Sequence, residues 1–156
     1  GVYTKHDAPV GATVFMIHVT NPKNITVARD ILAVQKAAYL QESLLIDYPD
    51  LPPLHETLSD IQDSSETFIV HQVDEKIGGV LSYSVEDKTL TITRLVVHPG
   101  FSRRGIGQAL LGEVLRHPTV KHFVVRTAEK NFPAIKLYEK HSLPSRNTKH
   151  YLMAWC

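Results

Sequence analysis

Two arginines and two glycines at a strand-to-helix junction set the first chemical constraint. The segment Leu95-Val96-Val97-His98-Pro99-Gly100-Phe101-Ser102-Arg103-Arg104-Gly105-Ile106-Gly107-Gln108-Ala109-Leu110-Leu111 runs from a β-branched stretch, through a short loop, into apolar residues at helical spacing. The first amides of such a helix have no partners within it. With the helix dipole and the guanidinium groups of Arg103 and Arg104 they favour an anion, above all a phosphate. Gly105 and Gly107 let the backbone approach that anion without a Cβ in the way. The same letters also serve a plain strand-to-helix turn whose glycines permit tight packing, so the loop alone does not decide the chemistry. Two nucleotide-binding alternatives fail on spacing. A P-loop needs a lysine directly after its second glycine, and none follows Gly105 or Gly107. A dinucleotide fingerprint needs a third glycine where Leu110 stands and an acid at the end of the next strand, which reads Arg126-Thr127.

A second segment, Asn131-x-Pro133-Ala134-x-x-Leu137-Tyr138-Glu139-Lys140, reads as a short helix over 131–140 with proline in its first turn. In this order and spacing the two segments resemble the GNAT N-acetyltransferase superfamily. The loop is similar to that family's acetyl-CoA-binding motif: Arg or Gln, two residues, Gly, one residue, Gly or Ala. Gly105 and Gly107 take the small-residue positions, while Ser102 stands where Arg or Gln is usual and Arg103 where a glycine often sits. The resemblance implies that Ser102, Arg103, Arg104, Gly105, Ile106, Gly107 and Gln108 hold the pyrophosphate, with Arg103 or Arg104 in place of the usual cation. It implies that Leu95, Val96 and Val97 pair with the pantetheine arm. Asn131, Ala134 and Tyr138 then face the coenzyme, Asn131 at the pantetheine and Tyr138 at the thioester sulfur. Ser142-Leu143 departs from the family's usual Gly-Phe. The chain also resembles bacterial members of the family with a similar Pro52-Pro53-Leu54 loop.

The activity so implied is transfer of an acetyl group from acetyl-CoA to a primary amine, directly, in a ternary complex. Such an enzyme aligns two substrates, takes a proton from an ammonium and stabilises an oxyanion. The Val97 amide is the implied oxyanion donor and Tyr138 the implied acid, since a phenol of pKa about 10 stays protonated beside a thiol of about 8.5. A core tyrosine at helical spacing with Ala134 and Leu137 is the plainer account of Tyr138. The general base is open. Many relatives carry a carboxylate on the strand before the loop, but Thr91, Thr93 and Arg94 stand there, and alternation admits only one of Thr93 and Arg94 to the cleft. Glu42, Asp47, His55 and Glu56 fall in the region that borders the family's acceptor pocket, where Tyr39, Tyr48 and three prolines suggest an apolar wall. His98 lies in a Val-His-Pro stretch that recurs in the family without a catalytic part. The second function class is a CoA-binding or sensing module that performs no transfer, and the third is a binding domain for another phosphorylated ligand.

The elements that must position these residues follow from periodicity. Residues 13–19 read as a strand, 26–42 as an amphipathic helix capped by Thr26, and 54–61 as a short helix after Pro53. Strands at 67–73, 77–85 and 89–97, joined by Asp74-Glu75-Lys76 and Glu86-Asp87-Lys88, form an antiparallel meander. A helix from 106 and a strand at 121–126 complete a crossover whose two strands run parallel, and 149–155 is a further strand. The expected fold is α/β, a mixed, mostly antiparallel sheet flanked by helices, in one domain over 1–156; the resemblance implies that this is an N-acetyltransferase domain whose sheet is splayed between the strands ending near Val97 and Thr127.

Composition bounds the rest. A chain of 156 residues with 43% apolar residues and net charge +1 buries a core without cross-links. The single cysteine, Cys156, speaks against disulfides, thiolate metal sites and a covalent relay. Nine scattered histidines show no zinc spacing, so no metal is expected. Near-neutral charge argues against nucleic acid, and no apolar run approaches the ~18 residues of a membrane span. The expected setting is cytoplasmic, as monomer or homodimer, with acetyl-CoA and a small amine or peptide amine as partners.

Overall fold

The β-branched and aromatic residues after Val14 form β1 (Phe15–Thr20), and Asn21-Pro22 ends it. The computed structural model describes residues 13–46, 56–101, 103–127 and 149–154. α1 (Ile25–Ile46) follows, capped by Asn24 and not by Thr26. The Asn24 side-chain oxygen accepts from the amides of Thr26 and Val27 at 3.0 and 3.2 Å, since an Asn two residues upstream reaches the first free donors. The helix runs to Ile46, past the expected end at 42, because no breaker intervenes before Pro49. α2 (Leu58–Asp63) starts at its own capping box, in which Thr57 and Asp60 satisfy each other's amides, and not at Pro53.

β2 (Thr67–Val73), β3 (Lys76–Glu86) and β4 (Thr89–Val97) are the expected meander. Asp87 and Lys88 both have positive φ, as a two-residue hairpin loop requires. A single 3-10 turn (Pro99–Phe101) leads to α3 (Ile106–Leu115), then β5 (His122–Thr127) and β6 (Lys149–Ala154). Among the described residues six strands form one sheet and lie in sequence order. The pairs from β1 to β4 are antiparallel, and β4–β5 and β5–β6 are parallel. The sheet is mixed and mostly antiparallel, with helices on both faces. Ala28, Ile31, Val34 and Tyr39 of α1 cover Phe68, Val70, Val80 and Val96 on one face. Ile106, Leu110, Leu111 and Val114 of α3 cover Ile69, Leu81, Leu90 and Ile92 on the other.

One irregularity shapes the sheet's centre. Ser82 pairs with Arg94 and Tyr83 with Ile92, so Thr93 is an extra residue on β4, a β-bulge. The strand changes phase there: Leu90 and Ile92 face α3, whereas Arg94 and Val96 face α1. Parallel pairing with β5 ends at Ile92–Val125, one residue before the bulge, while pairing with β3 continues to Val97. A bulge bends its strand and sharpens its twist, and here it marks the point where β4 and β5 part.

Candidate active site

Among the described residues, the parting of β4 and β5 leaves one edge of β4 without a strand partner over residues 93–97. His98 donates its amide to the Gly78 carbonyl at 2.9 Å, on the β3 side. In-plane alternation therefore turns the Val97 and Leu95 amides the other way, into the fork. Val96 is buried against α1, and the half-buried Leu95 and Val97 side chains contact the core under α3.

At the mouth of the fork the chain enters α3. Arg103 and Gly105 have φ of 63° and 73°, so two left-handed residues bracket Arg104, and Gly105 is an N-cap with no side-chain hydrogen bond. The first intrahelical bond runs from the Ala109 amide to the Gly105 carbonyl at 2.9 Å, which leaves the amides of Ile106, Gly107 and Gln108 without helical partners. Arg103 and Arg104 are exposed, and the Arg104 guanidinium stacks on the Phe101 ring at 5.2 Å. The His98 ring Nδ1 accepts from the Gly100 amide at 3.0 Å and its edge meets Phe101, so this histidine shapes the turn. Phe101 and the first turn of α3 lie close on the sheet over Gly78 and Gly79: a Cβ on Gly79 would stand 2.5 Å from Ile106 Cγ2. Such a row of free amides beside two cations can hold a diphosphate.

Behind the bulge, on the α1 face, lies a polar cluster. Arg94, 7% exposed, stacks on Phe68 and donates to Glu56 from Nε at 3.2 Å and also from Nη2. Its Nη1 meets both Glu66 oxygens at 3.2 and 3.1 Å and Ser82 Oγ at 2.9 Å. Thr93 donates to Glu66 as well, and Gln35 of α1 donates to Glu56 at 2.8 Å. Burial alone would lower the Arg94 pKa, but the Glu56 hydrogen bond and the charges of Glu56 and Glu66 outweigh it and hold the guanidinium above its usual range. Thr93 and Arg94 thus reach the same carboxylate, whereas strand alternation predicts opposite faces; the bulge is the reason.

The match to known proteins is decided over residues 33–142, which fit the Acetyltransferase (GNAT) family. The chain belongs to this family. It is 42% identical over 134 residues to the UPF0157 protein YqkA of Bacillus subtilis, a stretch that takes in 85% of this chain and 39% of that protein. The chain thus spans well under half the length of that relative. The fold is similar to the PaiA N-acetyltransferase of Thermoplasma acidophilum in complex with coenzyme A, with a TM-score of 0.68 at 12% identity over 83% of this chain and 90% of that one. It is similar as well to the ribosomal-protein-S18-alanine N-acetyltransferase of Escherichia coli, with a TM-score of 0.64 at 17% identity over 81% and 76% of the two chains. A third likeness is an aminoglycoside acetyltransferase from an uncultured soil metagenomic sample in complex with sisomicin, with a TM-score of 0.61 at 13% identity over 84% and 89%.

On this GNAT chain the structure brings Leu95, Val96, Val97, Arg103, Arg104, Gly105, Ile106, Gly107 and Gln108 to the fork and its mouth. The Ile106 side chain is buried on β3, so only its amide faces the loop. Ser102, Asn131, Ala134 and Tyr138 lie outside the described residues, as do Asp47, Tyr48 and His55 and the expected helix at 131–140. Tyr39 is buried in the α1 core, and Tyr48 with the three prolines lies outside the described residues. Glu66 and the Gly78-Gly79 pair escape sequence reasoning. The available signal is Arg94, a charge in phase with Leu90 and Ile92, which requires a buried counter-charge.

Proposed function

We propose that this chain is an acetyl-CoA-dependent N-acetyltransferase that moves an acetyl group to a primary amine by direct transfer in a ternary complex. The observation that carries the reading is the opened β4 edge, with the Val97 amide turned into it, directly upstream of an uncapped helix start flanked by Arg103 and Arg104. Acetyl-CoA supplies the acetyl group as an activated thioester. The free amides of Ile106, Gly107 and Gln108, with the two arginines and Ser102, hold the pyrophosphate, and Leu95 to Val97 align the pantetheine arm with Asn131 and Ala134. The Val97 amide donates to the carbonyl oxygen as negative charge builds on it. Tyr138 protonates the departing thiolate. The acceptors named for two neighbours, an alanine of a ribosomal protein and an aminoglycoside, support an amine as the acceptor class. The setting we assign is the cytoplasm, as one domain, monomeric or homodimeric.

A second reading has one observation in its favour. Glu56 and Glu66, the carboxylates that bond Arg94 of β4, are both occupied by it, so neither is an idle base. A CoA-binding module without turnover would have this arrangement. Thermal unfolding with acetyl-CoA, against CoA and ADP, tests the site first. Ligand at about 100 times its Kd adds ~2.7 kcal/mol, a rise of roughly 5–11 °C at this chain length. A rise that ADP does not match supports the site, and no rise at millimolar ligand rejects it. Release of CoA thiol with an amine then separates transferase from module, and Tyr138→Phe slows that release if the acid is assigned correctly.

A further inference from the structure

The β4 bulge needs an explanation of its own, because an extra residue interrupts the ladder and a regular strand would be the default. In a regular strand Thr93 and Arg94 point to opposite faces. Here both side chains bond one carboxylate. Glu66, at the entry to β2, accepts from Thr93, from Arg94 at 3.1 and 3.2 Å, and from Ser82 of β3 at 3.0 Å. Ser82 and Thr93 are themselves 2.9 Å apart, and Arg94 is held from its other side by Glu56. These contacts exist only in the bulged register. Removing the bulge shifts the rest of the strand by one residue, which takes Val96 off the α1 core and turns the Val97 amide from the fork toward β3.

We infer that Glu66, by clamping Thr93, Arg94 and Ser82 on one face of the sheet, fixes the β4 bulge and thereby sets the position of the Val97 amide at the transfer site. Glu66 and Thr93 are positioning residues: neither touches the reacting atoms, and their effect passes through four residues of β4. The inference rests on the reading of the Val97 amide as oxyanion donor, but its structural half stands without it. It also accounts for a carboxylate beside this strand that is saturated with donors and so poorly placed to act as a base.

The test uses the full chain with Thr93→Val, Thr93→Ser and Glu66→Gln. In the ligand-free parent the amides of Val96 and His98, which face β3, are protected from hydrogen exchange, and those of Leu95 and Val97 are open. Thr93→Val and Glu66→Gln lower protection at Val96 and His98 by about tenfold or more and leave β1 and β2 unchanged. A displaced donor costs kcat, so transfer falls about 10- to 100-fold per folded molecule. The KM for acetyl-CoA changes less than kcat, because the α3 loop assigned to the pyrophosphate is untouched while only the pantetheine contacts of Leu95 to Val97 shift. Thr93→Ser, which keeps the hydroxyl, restores both readouts. Unchanged exchange at Val96 and His98 in both variants overturns the inference, as does protection lost evenly over all strands with kcat per folded molecule intact. Should Glu66→Gln fail to fold, Thr93→Val decides the matter. A parent that neither binds nor turns over acetyl-CoA sinks the functional reading instead, and the exchange pattern still decides whether the clamp holds the bulge.

Discussion

Arg94 carries the largest single electrostatic debt in the described residues, since two carboxylates and one guanidinium meet behind β4. Removing the cation leaves Glu56 and Glu66 facing each other with little water, each about a fifth exposed. Arg94→Met is expected to cost about 3–5 kcal/mol at neutral pH, toward the lower end because the glutamates keep some solvent. The urea midpoint should fall with the slope unchanged. His71 offers a second test at this scale. It is buried beside the Phe15 ring, and burial pushes its pKa below the ordinary value of about 6.5. Below that value the unfolded chain takes up a proton that the folded chain resists. The contribution is therefore full above about pH 6.5 and declines as the pH falls through it toward the folded pKa. His71→Leu should flatten the pH 5–7 limb of a stability profile relative to the parent, and two parallel profiles would remove His71 as the cause.

Between elements, the contact that matters most is α3 on β3. Gly79→Ala pushes a methyl group to 2.5 Å from Ile106 Cγ2 and 3.1 Å from Leu110 Cδ1, with the Val96 carbonyl at 3.2 Å, so the first turn of α3 must lift. The expected loss is about 1–3 kcal/mol, with a smaller acetyl-CoA-induced rise in Tm, because the same turn carries the free amides. Gly112→Ala, in the same helix with nothing within 4 Å of the new Cβ, should instead stabilise by about 0.5–1 kcal/mol and leave that rise intact. Equal effects of the two would show that α3 does not rely on the close approach. These elements differ in how legible they are. The meander follows from short charged turns between apolar runs, and α3 follows from the spacing of Ile106, Leu110 and Val114. The cap of α1 moved from Thr26 to Asn24 because two acceptors compete within three residues. The parallel pairing of β6 leaves no local mark, since a strand's direction relative to its neighbour is not written in its own residues. Arg94 in the apolar phase of β4 hints at the bulge, but its partners Glu56 and Glu66 lie 38 and 28 residues away, beyond any window of periodicity.

At the scale of the molecule the sheet is shared by two separate cores, one under α1 and α2 and one under α3, and the fork is where the central sheet is open between them. The loop that enters α3 packs on one core, while Arg94, stacked on Phe68, and its partners Thr93 and Glu66 lie on the face of the other. A ligand that spans the loop and the fork must therefore couple the two layers. Acetyl-CoA should protect amides in two patches far apart in sequence, residues 93–97 and 103–108, and leave the β1–β2 ladder unaltered. The two patches should gain protection together over one titration, since a single molecule closes both. ADP, which offers a pyrophosphate but no pantetheine, should protect 103–108 and leave Leu95 and Val97 open. Protection of the loop alone with acetyl-CoA would mean that the thioester does not enter the fork, and the Val97 assignment would fall while the anion site stood.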